Sequence, residues 1–134
     1  MTVIVCIGSR GEMLFAGRRV SRDAYILADI KKMGGRLIAA PFSEKYLAGA
    51  GLSFTLVEEP LRSAEAEDLV FVEQPPLSPY RDRIDRMIVY SFGETYPQDV
   101  ALDITPEGIG LHSVGLTEFE GKAHKLITKE IFER

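Results

Sequence analysis

Apolar runs alternate with polar, glycine-containing segments along the first part of the chain. The first run, TVIVCI, is uniformly apolar and rich in β-branched residues. A strand buried on both faces has this pattern, as in the middle of an α/β sheet. Five such runs predict strands, at residues 2–7, 36–42, 53–59, 68–73 and 86–92.

Helical spacing of apolar positions follows the first strand, at Ile26, Leu27, Ile30 and Met33. We expect Ser21 to cap this helix and Asp23 to lie in its first turn. Gly34 and Gly35 are expected to end it. Residues 8–20, between the strand and the helix, predict an irregular loop.

Shorter helices are predicted between the later strands. Ser43 is a candidate cap for a helix over residues 43–49, and the polar residues 61–67 form a weaker candidate. A third helix is predicted over residues 79–85, because the proline at its first position loses no needed hydrogen-bond donor.

Alternating apolar and polar positions replace the uniform runs near the C-terminal end. Residues 99–104 alternate, and the runs 111–120 and 125–134 flank the turn GKAH. Two alternating runs around a short glycine-containing turn predict an antiparallel hairpin. The chain therefore predicts one three-layer α/β domain over residues 1–134, with a mixed, mostly parallel sheet and helices on both faces.

Composition narrows the possible partners. The 134 residues carry a net charge of -4 with a pI near 5.2, whereas a nucleic-acid-binding domain is usually strongly basic. No apolar run approaches the ~20 residues that cross a bilayer, and the apolar N-terminus has no basic region before it. Cys6 is the single cysteine, so no internal disulfide forms and a reducing cytoplasm is expected.

Two long stretches together resemble dihydrofolate reductase in a shortened form. They are TVIVCIGSRGEMLFAGRRVSRDAYILADI and RIDRMIVYSFGETYPQDVALDITPEGIGLHSVGLTEFEGKAH. That family opens with a buried strand, a glycine-containing loop and a helix with an acid in its first turn. The resemblance implies the same fold, with Asp23 as the pterin-binding catalytic acid. It also implies substrate-binding walls from Val5, Cys6, Leu27 and Tyr90.

Other residues depart from the family's pattern. The chain has no tryptophan, although the family places a proline–tryptophan pair before the acid. The family's glycine pair, which cradles the cofactor pyrophosphate, is replaced by FVEQPPLSPY. Pro75, Pro76 and Pro79 lack the backbone N–H that a phosphate needs, so NADPH is possible but disfavoured. Tyr90 stands where the family has a supporting threonine.

Asp23 and the neighbouring arginines are the main candidates for chemistry. A carboxyl held in an apolar cleft can tune proton transfer to a ligand, but an acid at a helix start also simply favours the helix dipole. Arg18, Arg19 and Arg22 can hold a phosphate or carboxylate. Alternatively, they are solvated or paired with Asp23, or with Glu12 or Asp29.

A weaker resemblance, carried by the opening RRxSRD, is to short bacterial chains labelled ribonuclease Z. Such nucleases hold two metals with a histidine-rich cluster, whereas this sequence has only His112 and His124. We therefore predict no metal site.

Three functions remain open at this point. One is a reductase-like enzyme, one is a binding module without reduction that takes a small planar or anionic ligand, and one is a nucleic-acid-processing protein. An exposed edge strand is a plausible route to a homodimer.

Overall fold

The computed structural model describes residues 1–19 and 22–134 of the chain. The strands in these ranges are β1 Thr2–Ile7, β2 Glu12–Phe15, β3 Arg18–Arg19, β4 Leu37–Ala39, β5 Thr55–Leu56, β6 Leu69–Phe71, β7 Arg86–Ser91, β8 Val100–Ala101, β9 His112–Phe119 and β10 Ile127–Glu133. The α-helices are α1 Ala24–Lys31, α2 Glu44–Leu47 and α3 Pro60–Ser63.

Seven strands form one mixed sheet in the order β5-β4-β6-β1-β7-β10-β9. The first five strands in this order pair in parallel, namely β5, β4, β6, β1 and β7. β10 runs antiparallel to both β7 and β9. The predicted mixed, mostly parallel α/β sheet with a C-terminal antiparallel hairpin is therefore confirmed. This architecture is compatible with the dihydrofolate-reductase-like fold that the sequence suggests.

The core lies on both faces of this sheet. Val3 and Val5 of β1 point into one apolar cluster, and Ile4 points into the other, as the alternation of a strand requires. The helices α1 and α2 cover the Ile4 face, and α3 covers part of the opposite face. All three of these β1 side chains are fully buried, which explains the uniformly apolar run.

Several predicted elements are shorter than expected. β4 ends at Ala39 because Pro41, which has no N–H for a ladder, begins a 3-10 turn at Pro41–Ser43. Within the described ranges, the edge strand β5 pairs with β4 alone, over two residues. The helix predicted at residues 79–85 is a 3-10 helix at Ser78–Arg83.

The prediction of an irregular loop over residues 8–20 is wrong where the structure describes it. β2 pairs antiparallel with β3 and with β8, and these strands form a second, three-stranded sheet. Their shortness and the distance of β8 along the chain hide this sheet from a search for periodic patterns.

The start of α1 also differs from the prediction. Asp23 is the N-cap of the helix, with extended backbone angles, and does not lie in the first turn. Its side chain accepts a hydrogen bond from the backbone N–H of Tyr25, which satisfies one free donor of the helix start. Ser21, the predicted cap, lies outside the described residues.

Candidate functional site

The Asp23 carboxylate joins the start of α1 to the turn between β9 and β10. Oδ1 accepts hydrogen bonds from the backbone N–H groups of Tyr25 and Lys122, each at 3.0 Å. Oδ2 accepts one from the N–H of Ala123 at 2.9 Å and lies 2.8 Å from Nδ1 of His124. The side chain has 0% exposed surface, so these protein groups surround it.

These contacts set the charge of Asp23. Burial by itself would raise the pKa of the carboxyl. The hydrogen bonds from His124 and from the backbone N–H groups of Lys122, Ala123 and Tyr25 outweigh burial and lower this pKa to about 2. The group is therefore an ionised acceptor at neutral pH. Its predicted role as a catalytic acid stays a prediction.

His124 and Gly121 complete this contact from the turn. The imidazole of His124 packs on Phe92, with ring centroids 4.5 Å apart and a tilt of 32°. A Cβ on Gly121 would lie 2.6 Å from Oδ2 of Asp23, so only glycine allows the turn to approach the carboxylate. The sequence singled out neither residue as a partner of Asp23, because about a hundred positions separate them along the chain.

Three of the four predicted wall residues meet in one apolar cluster between the sheet and α1. The fourth, Val5, points into the cluster on the opposite face of the sheet, so its expected place in this wall is wrong. Cys6 lies opposite Tyr90 in the register of β1 and β7, and Leu27 reaches the cluster from α1. The hydroxyl of Tyr46 donates to Sγ of Cys6 at 3.6 Å. Burial, the largest effect, raises the pKa of the Cys6 thiol to about 12, so the thiol stays protonated. Substrate binding by Cys6, Leu27 and Tyr90 stays a prediction.

Tyr90 is fully buried and engaged with protein groups. Its hydroxyl donates to Oδ2 of Asp29 at 2.5 Å, and the same oxygen lies 2.8 Å from Nζ of Lys129. Burial first, and then the adjacent Asp29 carboxylate, raise the pKa of Tyr90 above its ordinary value. This chain of contacts ties β7 and β10 to α1.

Arg19 pairs with an acid that the sequence did not suggest. Its Nε lies 2.6 Å from Oε2 of Glu73, and its NH2 group donates to Oε1 at 3.1 Å. The guanidinium also lies over the rings of Phe42 and Tyr46. The alternative partners considered for the arginines were Asp23, Glu12 and Asp29. For Arg19 that expectation is wrong, because its Nε and NH2 groups are both bonded to the carboxylate of Glu73.

Arg18 and Arg22 lie on different surfaces. Arg22 donates from Nε to the carbonyl oxygen of Tyr46 at 2.9 Å and shares an open groove with Leu27, Lys31 and Lys32. Arg19 and Arg22 both lie over the ring of Tyr46, whereas Arg18 is exposed on β3. The predicted role of the three arginines in anion binding stays a prediction.

A cavity of about 210 Å³ opens where β4, β5 and β6 end. Because these strands are parallel, their carboxyl ends lie at one edge of the sheet, where ligands of α/β folds commonly bind. Its polar side chains come from Ser43, Glu58, Glu59, Glu73 and Gln74, and its apolar walls from Ala40, Pro60, Leu61, Phe71, Val72, Pro75, Pro76 and Tyr80.

This cavity does not fit the pyrophosphate of a dinucleotide. Three of the described lining side chains are carboxylates and none is a lysine or arginine. Pro75 and Pro76, the residues in place of the family's glycine pair, line the wall and offer no N–H. The sequence analysis identified these prolines as a departure from the family's pattern. It did not predict that Ser43, Glu58 and Glu73 would line the same cavity.

Neither a metal site nor a membrane-spanning helix is found among the described residues, and the sequence comparisons identify no family. Among the described residues, no group of three or more His, Cys, Asp or Glu side chains is placed to hold a metal ion. No helix in the described ranges is long and apolar enough to cross a membrane. In the sequence comparisons no protein-family model matches the chain, and no curated protein matches it.

Proposed function

We propose that this chain is a small dihydrofolate-reductase-like domain that binds a small planar ligand at the carboxyl edge of its sheet and does not reduce dihydrofolate. The observation that carries this proposal is the position of Asp23. A group that transfers a proton must reach the reacting ligand directly or through one water. The Asp23 carboxylate has 0% exposed surface and accepts hydrogen bonds from α1 and the β9–β10 turn.

The cavity at the carboxyl edge supports a planar ligand. Leu61 and Tyr80 offer apolar surface, and polar groups lie beside them, as in most small-molecule sites. The acidic lining and the two prolines oppose NADPH, so reduction with that cofactor is not part of the proposal.

An anionic ligand is the alternative, and it would use a different place. Arg22, Lys31 and Lys32 line the groove along α1, and no acidic residue lies among its described lining residues. Three cations around one groove favour carboxylate or phosphate there. The two ligand classes therefore predict binding at opposite ends of α2.

Amide-detected NMR titration distinguishes these cases. The proposal predicts that a neutral planar probe such as benzamide shifts the signals of Glu73, Gln74 and the residues beside them. Shifts that are confined to Ala28, Lys31 and Gly49, seen with benzoate alone, would instead support the anionic alternative. The proposed binding function fails if planar probes of every charge leave the cavity signals unchanged.

The alternative of nucleic-acid processing receives no specific support. The net charge is -4, and the described residues include no metal-binding cluster. We also propose a cytoplasmic location, on the ground that Cys6 is the single cysteine and forms no disulfide within the chain.

A homodimer is part of the proposal, with β9 as its interface. Among the described strands, β9 pairs with β10 alone, and Val114 and Leu116 are about half exposed on it. It contains no lysine, arginine or proline, which commonly protect edges from pairing. Antiparallel pairing of two copies would place His112 of one copy beside the Glu118 end of the other.

A further inference from the structure

The cavity at the carboxyl edge carries negative charge that the protein leaves uncompensated. Glu73 is neutralised by Arg19, and Glu59 lies 3.5 Å from Arg62 in an exposed, weak pair. Glu58 forms no hydrogen bond or ion pair with any residue in the described ranges. A cavity with this balance attracts cations and repels anions.

Ser43 is an independent indication of a ligand. It is 2% exposed and lines the cavity. Although Ser43 occupies the N-cap position of α2, its hydroxyl makes no capping bond and no hydrogen bond to any other described residue. Buried hydroxyl groups are normally hydrogen-bonded, so this one is suited to a polar group of a bound molecule.

The remaining walls define the shape of that molecule. Pro75 and Tyr80 offer flat apolar surfaces, and the cavity volume is about 210 Å³. Carboxylate and hydroxyl oxygens both accept hydrogen bonds, so the complementary ligand carries N–H donors.

We propose that this cavity binds a planar organic cation with N–H donors, of the arylamidine or heteroaromatic-amine class. The carboxylates of Glu58 and Glu59 face its charge, and the Ser43 hydroxyl accepts one of its N–H groups. This assignment rests on the proposed function, since it names the charge of the planar ligand.

Three probes of nearly the same shape test the charge. Benzamidine is a cation, benzamide is neutral and benzoate is an anion, and each is titrated into the full chain by NMR and calorimetry. We expect benzamidine to bind about tenfold more tightly than benzamide, as a charge-assisted hydrogen bond implies, and benzoate not to bind in the cavity. Added salt should weaken the binding of benzamidine but not the binding of benzamide.

Variants locate the binding. We expect the substitutions Glu58→Gln and Ser43→Ala each to lower the affinity for benzamidine several-fold. Glu67→Gln, which makes the same charge change at an exposed position outside the cavity, should leave it unchanged. Benzamidine affinity that is unaffected by both cavity variants places the probe elsewhere and overturns the assignment.

The other outcomes separate this inference from the proposed function. Equal affinities for benzamidine and benzamide in the cavity overturn the cationic assignment while the planar-ligand function stands. Preferred binding of benzoate in the cavity also overturns the assignment. If no probe binds there, both the assignment and the planar-ligand function are wrong.

Discussion

At the scale of single residues, the Asp23 carboxylate fixes the contact between α1 and the β9–β10 turn. It accepts three backbone N–H groups and the side chain of His124 without exposure to solvent. An amide in its place would direct an NH₂ group at a backbone N–H donor. A buried donor that loses its acceptor costs about 1–3 kcal/mol.

Asp23→Asn is therefore expected to lower the free energy of unfolding by about 2 kcal/mol. Urea denaturation followed by circular dichroism measures this loss. Asp99→Asn is a suitable control, because the Asp99 carboxylate accepts from the N–H of Ala16 at an exposed position. Equal stability of Asp23→Asn and the wild type would mean that the carboxylate does not hold the turn.

The lowered pKa of Asp23 predicts a dependence of stability on pH. Folding lowers this pKa from 3.8 to about 2, so the folded state favours the ionised form. The resulting stability is present above the unfolded pKa and is lost as pH falls from near 4 towards 2, to a total of about 2 kcal/mol. Urea titrations at pH values across this range measure the free energy of unfolding. This free energy should fall more steeply with decreasing pH for the wild type than for Asp23→Asn. Parallel curves for the two proteins would contradict the assigned pKa.

At the scale of elements, the β9–β10 hairpin depends on a close approach at Gly121. A Cβ at this position would lie 2.6 Å from both Oδ2 of Asp23 and Cδ1 of Ile127, and Ile127 is fully buried. Gly121→Ala should therefore destabilise the protein by about 1–3 kcal/mol, a typical cost of overpacking.

Gly115→Ala is the matched control for this prediction. Gly115 lies on β9, and a Cβ there meets nothing within 4 Å. Thermal unfolding of both variants should show a clearly lower Tm only for Gly121→Ala. Similar Tm values for the two variants would contradict the close contact between the turn and Asp23.

Prediction from sequence succeeded where one element determines its own pattern. Val3, Ile4 and Val5 are buried because their strand is central, and their apolar run reveals this directly. β2 and β3 were missed, since strands of two to four residues show no clear period, whereas β8 lies within the alternating residues 99–104.

The candidate site was harder to foresee because its residues converge from distant parts of the chain. Asp23 was noticed for its place near a helix start, but its partners lie about a hundred residues later. Ser43, Glu58 and Glu73 meet only because three parallel strands end at one edge. No local sequence pattern predicts the contacts of Asp23 or the lining of the cavity.

At the scale of the whole molecule, the edge strand β9 is the proposed interface of a homodimer. We predict a dimer by sedimentation equilibrium, in which two sheets join through β9. Leu116→Lys should yield monomers, because charges on an edge strand oppose pairing. Leu126→Lys, the same change at an exposed leucine outside β9, should remain dimeric. A monomeric wild type at high concentration would refute this assembly.

The most direct test of the central claim is a thermal-shift titration with NADPH and dihydrofolate, singly and together, accompanied by an assay of NADPH oxidation. A ligand that binds only the folded state raises the Tm. The account predicts no rise in Tm and no oxidation with these compounds, but a rise in Tm with a planar probe that fits the cavity. A rise with NADPH, together with oxidation that depends on dihydrofolate and is lost in Asp23→Asn, would contradict it.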